Sequence, residues 1–115
     1  MNVSNLARTV GAAQIQVFNP FDGALVGTVA DVCASQVPHL LEQGRQGVRA
    51  SAGLPRYRRA QILEQTALNI ERDASAFARL IVDEAGKTLK QAQKEVKRCV
   101  NTLKLSAEEA RRNAG

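Results

Sequence analysis

A Gly-Lys-Thr tripeptide at positions 86–88 resembles the end of a phosphate-binding loop, the one recognisable chemical motif in this sequence. Such a loop needs a second glycine five positions before Gly86, where this chain has Ile81. The loop must also follow a buried strand, whereas Phe77, Leu80 and Ile81 recur at helical spacing. We therefore predict that Gly86 ends one helix and that Thr88 caps the next, without a bound nucleotide.

Two cysteines and one histidine are the other candidates for nucleophilic or metal chemistry. Cys33 and Cys99 lie far apart in the sequence, and His39 has no neighbour at a metal-binding spacing. Cys99 falls within an apolar helical stripe, which favours a small buried side chain over a nucleophile. We expect both thiols to be reduced and structural.

The basic residues are concentrated in the last quarter of the chain. The net charge is +5, and eight basic residues but only three acidic ones follow Gly86. This pattern is typical of the solvated face of an amphipathic helix, and less often of a surface for nucleic acid or another acidic partner. Because aromatic residues are not interleaved with the basic ones, we predict no nucleic-acid partner. A basic helical module for nucleic-acid binding or oligomerisation remains the alternative.

The N-terminal residues 1–13 are polar and show no repeated apolar pattern, which predicts a disordered leader. They lack the apolar segment of a signal peptide, and no stretch of the sequence approaches the length of a membrane span. We expect a cytoplasmic protein with no membrane partner.

The elements that position these residues begin with a predicted β-hairpin over 14–30. Two short runs rich in β-branched and aromatic residues flank Asn-Pro-Phe-Asp-Gly, where Gly23 can adopt the positive φ of a tight turn. A two-stranded hairpin is only marginally stable alone, so it must pack on a larger body.

Apolar spacing predicts four helices, at about 35–51, 55–72, 73–85 and 88–113. Ser35 is the expected cap of the first helix, and Pro55 the expected first residue of the second. The last helix is the clearest, because Thr88 and Gln91 form a capping-box pattern. Its expected apolar face comprises Leu89, Ala92, Val96, Cys99, Leu103, Ala107 and Ala110.

In this order, the stretches resemble the N-terminal part of an NAD(P)-dependent aldehyde dehydrogenase. The resemblance runs over about residues 15–115 and depends on the successive motifs NPFDG, RYRRAQIL, EAGKTLKQAQKEV and AEEARRNAG. It is greatest for the branch acting on lactaldehyde, glyceraldehyde 3-phosphate (without phosphorylation) and phosphonoacetaldehyde. Family members usually carry Thr or Asn in place of Ala85 and Pro in place of Thr88, which bears on the subfamily and not on membership.

The resemblance implies a fold that is mainly α with an N-terminal β-hairpin, a partial outer layer of the α/β Rossmann-like cofactor domain. It also implies that the parent enzyme oxidises an aldehyde to a carboxylic acid through a cysteine thioester, using NAD or NADP. No segment of this chain matches the family's nucleophile, base or dinucleotide motifs. We therefore assign no catalytic or cofactor-binding residue and expect no bound cofactor and no activity of the chain alone.

The resemblance implies one metal site. Some family members bind a monovalent cation through a backbone carbonyl and an acidic side chain, and the matching positions here are Phe18 and Glu84. Oxygen ligands of this kind suit a hard cation; a solvated carboxylate at the helix end is the simpler interpretation.

Helices and one hairpin would leave an apolar face uncovered, so we predict association with a second copy or with the remainder of the parent enzyme.

Overall fold

The computed structural model describes residues 13–112 and consists of a hairpin followed by four α-helices. The predicted class, mainly α with an N-terminal β-hairpin, is confirmed. Residues 1–12, which hold nearly all of the predicted leader, lie outside the described residues. The strands are β1 (Gln14–Phe18) and β2 (Leu25–Ala30), and the helices are α1 (Val37–Ala52), α2 (Arg56–Arg72), α3 (Ala74–Ala85) and α4 (Leu89–Arg112).

The hairpin turn is closed by the residue types that the sequence places there. β1 and β2 are antiparallel, with a bulge at the end of β1. The Asn19 side chain accepts a hydrogen bond from the Phe21 N–H at 2.9 Å, and the Asp22 side chain accepts one from the Ala24 N–H at 2.9 Å. Gly23 has a φ of 71°, as the turn requires. Two Asx turns and one glycine therefore fix this loop locally.

The core lies mainly between α2 and α4, which form the most extensive helix pair. Among residues 13–112, seven side chains are buried, and they are small: Ala60, Ala67, Ala78, Ala92, Val96, Val100 and Ala107. No large side chain in the described part of the chain is fully buried. Small contact residues let two helices approach closely but remove little apolar area from water. The core is consequently thin.

The face of α3 that packs on α4 differs from the expected one. Ala78 is buried, and Ala74, Ile81 and Val82 pack around it, whereas Phe77 is 43% exposed. The helical period was predicted correctly, but periodicity alone does not say which flank of an apolar arc meets a neighbour. α4 packs against the alanine flank and leaves the aromatic flank at the surface.

The prediction that Cys99 is buried is wrong, since its side chain is exposed and Val100 is buried instead. The buried residues Ala92, Val96 and Val100 are four apart, and each such step turns the contact line by about 40° around the helix. This drift carries the contact line past Cys99. The apolar face predicted for α4 is otherwise buried or half-buried from Ala92 onward.

α1 is the least integrated helix. It has no buried residue and packs mainly on the short 3₁₀ turn Ala34–Gln36 that precedes it. Leu41 is 56% exposed and Val48 is 68% exposed. The radius of gyration is 17.5 Å, against the ~13 Å typical of a compact domain of this size. Apolar surface is thus left uncovered, as the sequence suggested.

None of the helices in the described part of the chain combines the length and the apolar character that crossing a bilayer requires.

Candidate functional site

The Gly-Lys-Thr tripeptide forms a junction between two helices and does not form a phosphate loop. Gly86 has a φ of 64°, and its N–H donates to the Val82 carbonyl at 2.9 Å, which ends α3. Thr88 and Gln91 form the predicted capping box, with reciprocal side-chain-to-backbone hydrogen bonds of 3.3 Å. The Lys87 ammonium pairs with Glu95 at 2.5 Å. With these donors engaged, the tripeptide does not fit a dinucleotide pyrophosphate, and the prediction of a plain helix junction is confirmed.

The hairpin turn docks against this junction. A Cβ atom placed on Gly86 would lie 2.9 Å from Cγ of Pro20, closer than real side chains approach. β1 and α3 are also in contact. Phe18 ends β1 and Glu84 lies in the last turn of α3, so the structure brings together the two elements that carry the predicted cation ligands.

The surroundings of that position limit which cation it could hold. Glu84 is exposed, and residues 13–112 contain no cluster of three or more His, Cys, Asp or Glu side chains that could bind a metal. One carboxylate among carbonyl and water oxygens suits a weakly held monovalent cation better than a transition metal.

Cys33 occupies the start of the 3₁₀ turn and is an exposed free thiol. Its sulfur lies 2.9 Å from the Ser35 hydroxyl, and this hydrogen bond lowers the pKa of the Cys33 thiol. Ser35 therefore does not cap α1 as predicted; α1 begins at Val37 without a side-chain cap. His39 interacts with Gln43 at 3.0 Å and not with a thiol. Nucleophilic catalysis by cysteine requires a base beside the thiol. Within the described residues, no cysteine has such a partner.

A row of four cations runs along one flank of α4 at seven-residue intervals. We call Lys90, Lys97, Lys104 and Arg111 the cation row. Lys104 pairs with Glu71 at 3.1 Å, and Arg111 pairs with Glu64 at 2.6 Å, so two of its members join α4 to α2. The hydrogen bond from Arg111 lowers the pKa of the Glu64 carboxyl. Half of the row is therefore structural, which argues against a nucleic-acid surface.

A groove of about 320 Å³ lies beside Lys97, one of the other two members of the row. Its walls are the end of α2, the start of α3 and residues 93–101 of α4. Neither the groove nor the row was predicted from the sequence. The seven-residue repeat of basic residues was visible in the sequence, but its pairing with α2 depends on how the two helices pack.

The chain belongs to the aldehyde dehydrogenase family, whose family model matches residues 8–115. Aspartate-semialdehyde dehydrogenase 1 of Pseudomonas canavaninivorans is 80% identical over 115 residues, which are 100% of this chain and 24% of that protein. Lactaldehyde dehydrogenase of Escherichia coli K12 is 30% identical over 105 residues, covering 91% of this chain and 22% of that protein. The resemblance stated from the motifs is confirmed.

The fold agrees with this assignment. The crystal structure of lactaldehyde dehydrogenase from Escherichia coli superposes with a TM-score of 0.83 at 29% identity, covering 92% of this chain and 22% of that one. The chain thus spans about a quarter of the length of the relatives it matches.

Proposed function

We propose that this chain is an N-terminal scaffold segment of an NAD(P)-dependent aldehyde dehydrogenase that oxidises an aldehyde to a carboxylic acid through a cysteine thioester. The observation that carries the proposal is the family match over residues 8–115. The described residues offer neither a nucleophile beside a base nor a phosphate cradle. In this proposal the cofactor and the reacting groups are held elsewhere in the enzyme, and the 115-residue chain alone is inactive.

The scaffold role is supported by the distribution of apolar surface. The core is small, α1 buries none of its residues, and Phe21 in the hairpin turn is 93% exposed. Burial of such surface is the main favourable term in folding and association. We propose that the remainder of the enzyme, or a second copy, covers it, and that the protein acts in the cytoplasm.

The substrate class in this proposal is a semialdehyde. The 80% identical relative is named for aspartate semialdehyde, and a succinate-semialdehyde dehydrogenase of Schizosaccharomyces pombe is 31% identical over 100 residues. An aldehyde that carries a carboxylate group is therefore the first compound to assay.

Complementation tests the proposal. The part of the 80% identical relative that this chain does not match is produced with and without the 115-residue chain, and NAD(P)H formation from aspartate semialdehyde is followed. We expect activity only when both parts are present, and none from this chain alone. As a control, the 115-residue chain is replaced by its Val96→Asp variant. Because this substitution should disrupt the fold, the variant should restore less activity than the unchanged chain. Full activity of the relative's part without this chain, or no activity of the pair while the intact relative works, would refute the scaffold role.

We also propose a monovalent cation site, to which Phe18 contributes its backbone carbonyl and Glu84 its side-chain carboxylate. The contact between β1 and α3 and the exposed Glu84 carboxylate support this. Potassium or sodium ions should then raise the melting temperature above that in tetramethylammonium at equal ionic strength. Glu84→Gln should abolish the difference, and Glu109→Gln should keep it. An equal ion effect in both variants would exclude the site.

A further inference from the structure

The helix α1 carries an apolar face that the described part of the chain leaves uncovered. An open groove of about 590 Å³ runs along this face and is lined by Leu40, Leu41, Gly44, Arg45, Val48 and Arg49. Its apolar members are spaced by three and four residues, so they share one side of the helix. Leu41 and Val48 are more than half exposed, although the apolar stripe of a helix normally faces a core.

The glycines of α1 are not explained by the packing of the described residues. Gly44 lies between Leu41 and Val48 on the apolar face, and glycine makes a helix interior less stable than alanine does. A Cβ placed on Gly44 or Gly47 would meet no atom within 4 Å beyond the backbone of its own helical turn. A glycine also lets a second backbone approach closely. Gly44 therefore fits a contact with an element outside the described residues.

The rim of the groove favours an apolar occupant over an anionic one. Arg45 and Arg49 both pair with Glu42 of the same helix, at 3.5 Å and 3.2 Å. Both guanidinium groups therefore already have a carboxylate partner. The surface between them is formed by leucine and valine side chains, which gain most from leaving water against other apolar groups.

The size of the face favours a segment of the same polypeptide over a second copy. A stable interface between separate proteins typically has about 20–30 residues on each side, whereas α1 offers one stripe of a 16-residue helix. Two copies would also lose translational and rotational freedom on association, a cost that a segment of the same polypeptide does not bear. Such a segment is available in the parent enzyme, because this chain covers only 24% of its 80% identical relative.

We propose that the apolar face of α1 is the docking site for an apolar segment from the part of the parent enzyme that this chain does not include. Leu41 and Val48 contact that segment, and Gly44 between them lets its backbone approach α1 closely. The docking site rests on the function proposed above, since its occupant belongs to the parent enzyme. It makes α1, which buries none of its own residues in this chain, a contact between this chain and the rest of the enzyme.

A comparison of the 115-residue chain with a chimera tests the docking site. In the chimera this chain replaces the matching 24% of the 80% identical relative, and the melting temperature of each protein is measured by circular dichroism. Leu41→Lys/Val48→Lys should change that of the chain alone by less than about 2 °C, because both side chains are exposed there. The same variant should lower that of the chimera by about 5 °C or more, because the new charges would be buried.

A matched control places the same charges on the other side of α1. Gln43 and Ala50 are also seven residues apart, are exposed, and lie about half a turn from Leu41 and Val48. Gln43→Lys/Ala50→Lys should therefore change the melting temperature of either protein by less than about 2 °C.

Gly44→Ala separates docking from the stability of the helix itself. Alanine favours the helix, and its Cβ would meet no neighbouring element in this chain, so the chain alone should melt at the same or a higher temperature. In the chimera the added methyl group should hold the docked segment away and lower the melting temperature by about 2 °C or more. A purely local effect of the substitution would not change sign between the two proteins.

Three results would overturn the docking site. The first is an unchanged melting temperature of the chimera with Leu41→Lys/Val48→Lys, and the second is an equal fall in the chain alone. The third is a 115-residue chain that sediments as a dimer and becomes monomeric with this double variant, which would identify a second copy as the occupant. Activity is measured separately: a stable chimera that forms no NAD(P)H from aspartate semialdehyde would count against the proposed function and leave the melting comparison intact.

Discussion

Gly86→Ala tests how the hairpin is fixed to the helices. The substitution adds one methyl group at the junction between α3 and α4, where φ is 64°. It should weaken the protein for two separate reasons, the backbone conformation and the closeness of Pro20. The two contributions can be measured separately because the chain contains a second glycine with nearly the same φ.

The magnitude follows from the local geometry. A left-handed conformation costs a residue with a Cβ about 1–2 kcal/mol relative to glycine. The new Cβ would also lie 2.9 Å from Cγ of Pro20, and relieving such overpacking typically costs about 1–3 kcal/mol. Pro20 is exposed and can move, so the lower end applies. The sum of about 2–3 kcal/mol corresponds to a fall in melting temperature of roughly 10 °C for a chain of this length.

Thermal and urea denaturation measure this loss, with Gly23→Ala as the matched control. Gly23 has a φ of 71°, and a Cβ there would meet no atom within 4 Å, so only the conformational cost applies. Pro20→Ala removes the clashing Cγ, and the steric part of the Gly86→Ala effect should disappear in the double variant. Equal losses at Gly86 and Gly23, together with additive effects of Gly86→Ala and Pro20→Ala, would show that the hairpin does not rest on this junction.

Three further predictions concern α4 and its packing. Val96→Asp should cost about 3 kcal/mol or more in urea denaturation because it buries a charge, whereas Lys97→Asp should cost less than about 1 kcal/mol; similar losses would mean that another face is buried. Thr88→Ala should cost about 1 kcal/mol by removing the cap of α4, and an unchanged melting temperature would contradict the capping box. The folded-state pKa of Glu64 is lowered, so its pair with Arg111 stabilises the protein above the ordinary carboxyl pKa and is lost as the pH falls through the lowered value. Glu64→Gln should therefore lose less stability than the unchanged chain as the pH falls from about 6 to about 3, and an equal loss in the two chains would contradict this prediction.

Local chemistry made parts of the candidate site predictable from the sequence. The interpretation of the Gly-Lys-Thr tripeptide was correct because helix ends obey short-range rules that glycine and threonine satisfy within a few residues. The turn at Gly23 follows from the same kind of rule. The prediction that Ser35 caps α1 was wrong because two local partners were available to its hydroxyl. The hydroxyl interacts with the Cys33 sulfur and not with the first turn of α1.

The sequence by itself determined the element types, their order and the family, since periodicity, caps and motif order are all written along the chain. Only the tertiary structure decided which flank of each helix is buried, because several arcs of similar apolarity were available. It placed Val100 in the core and Cys99 at the surface. It also paired half of the cation row with α2 and left Lys97 beside a groove, which depends on where α2 stops relative to α4 in space.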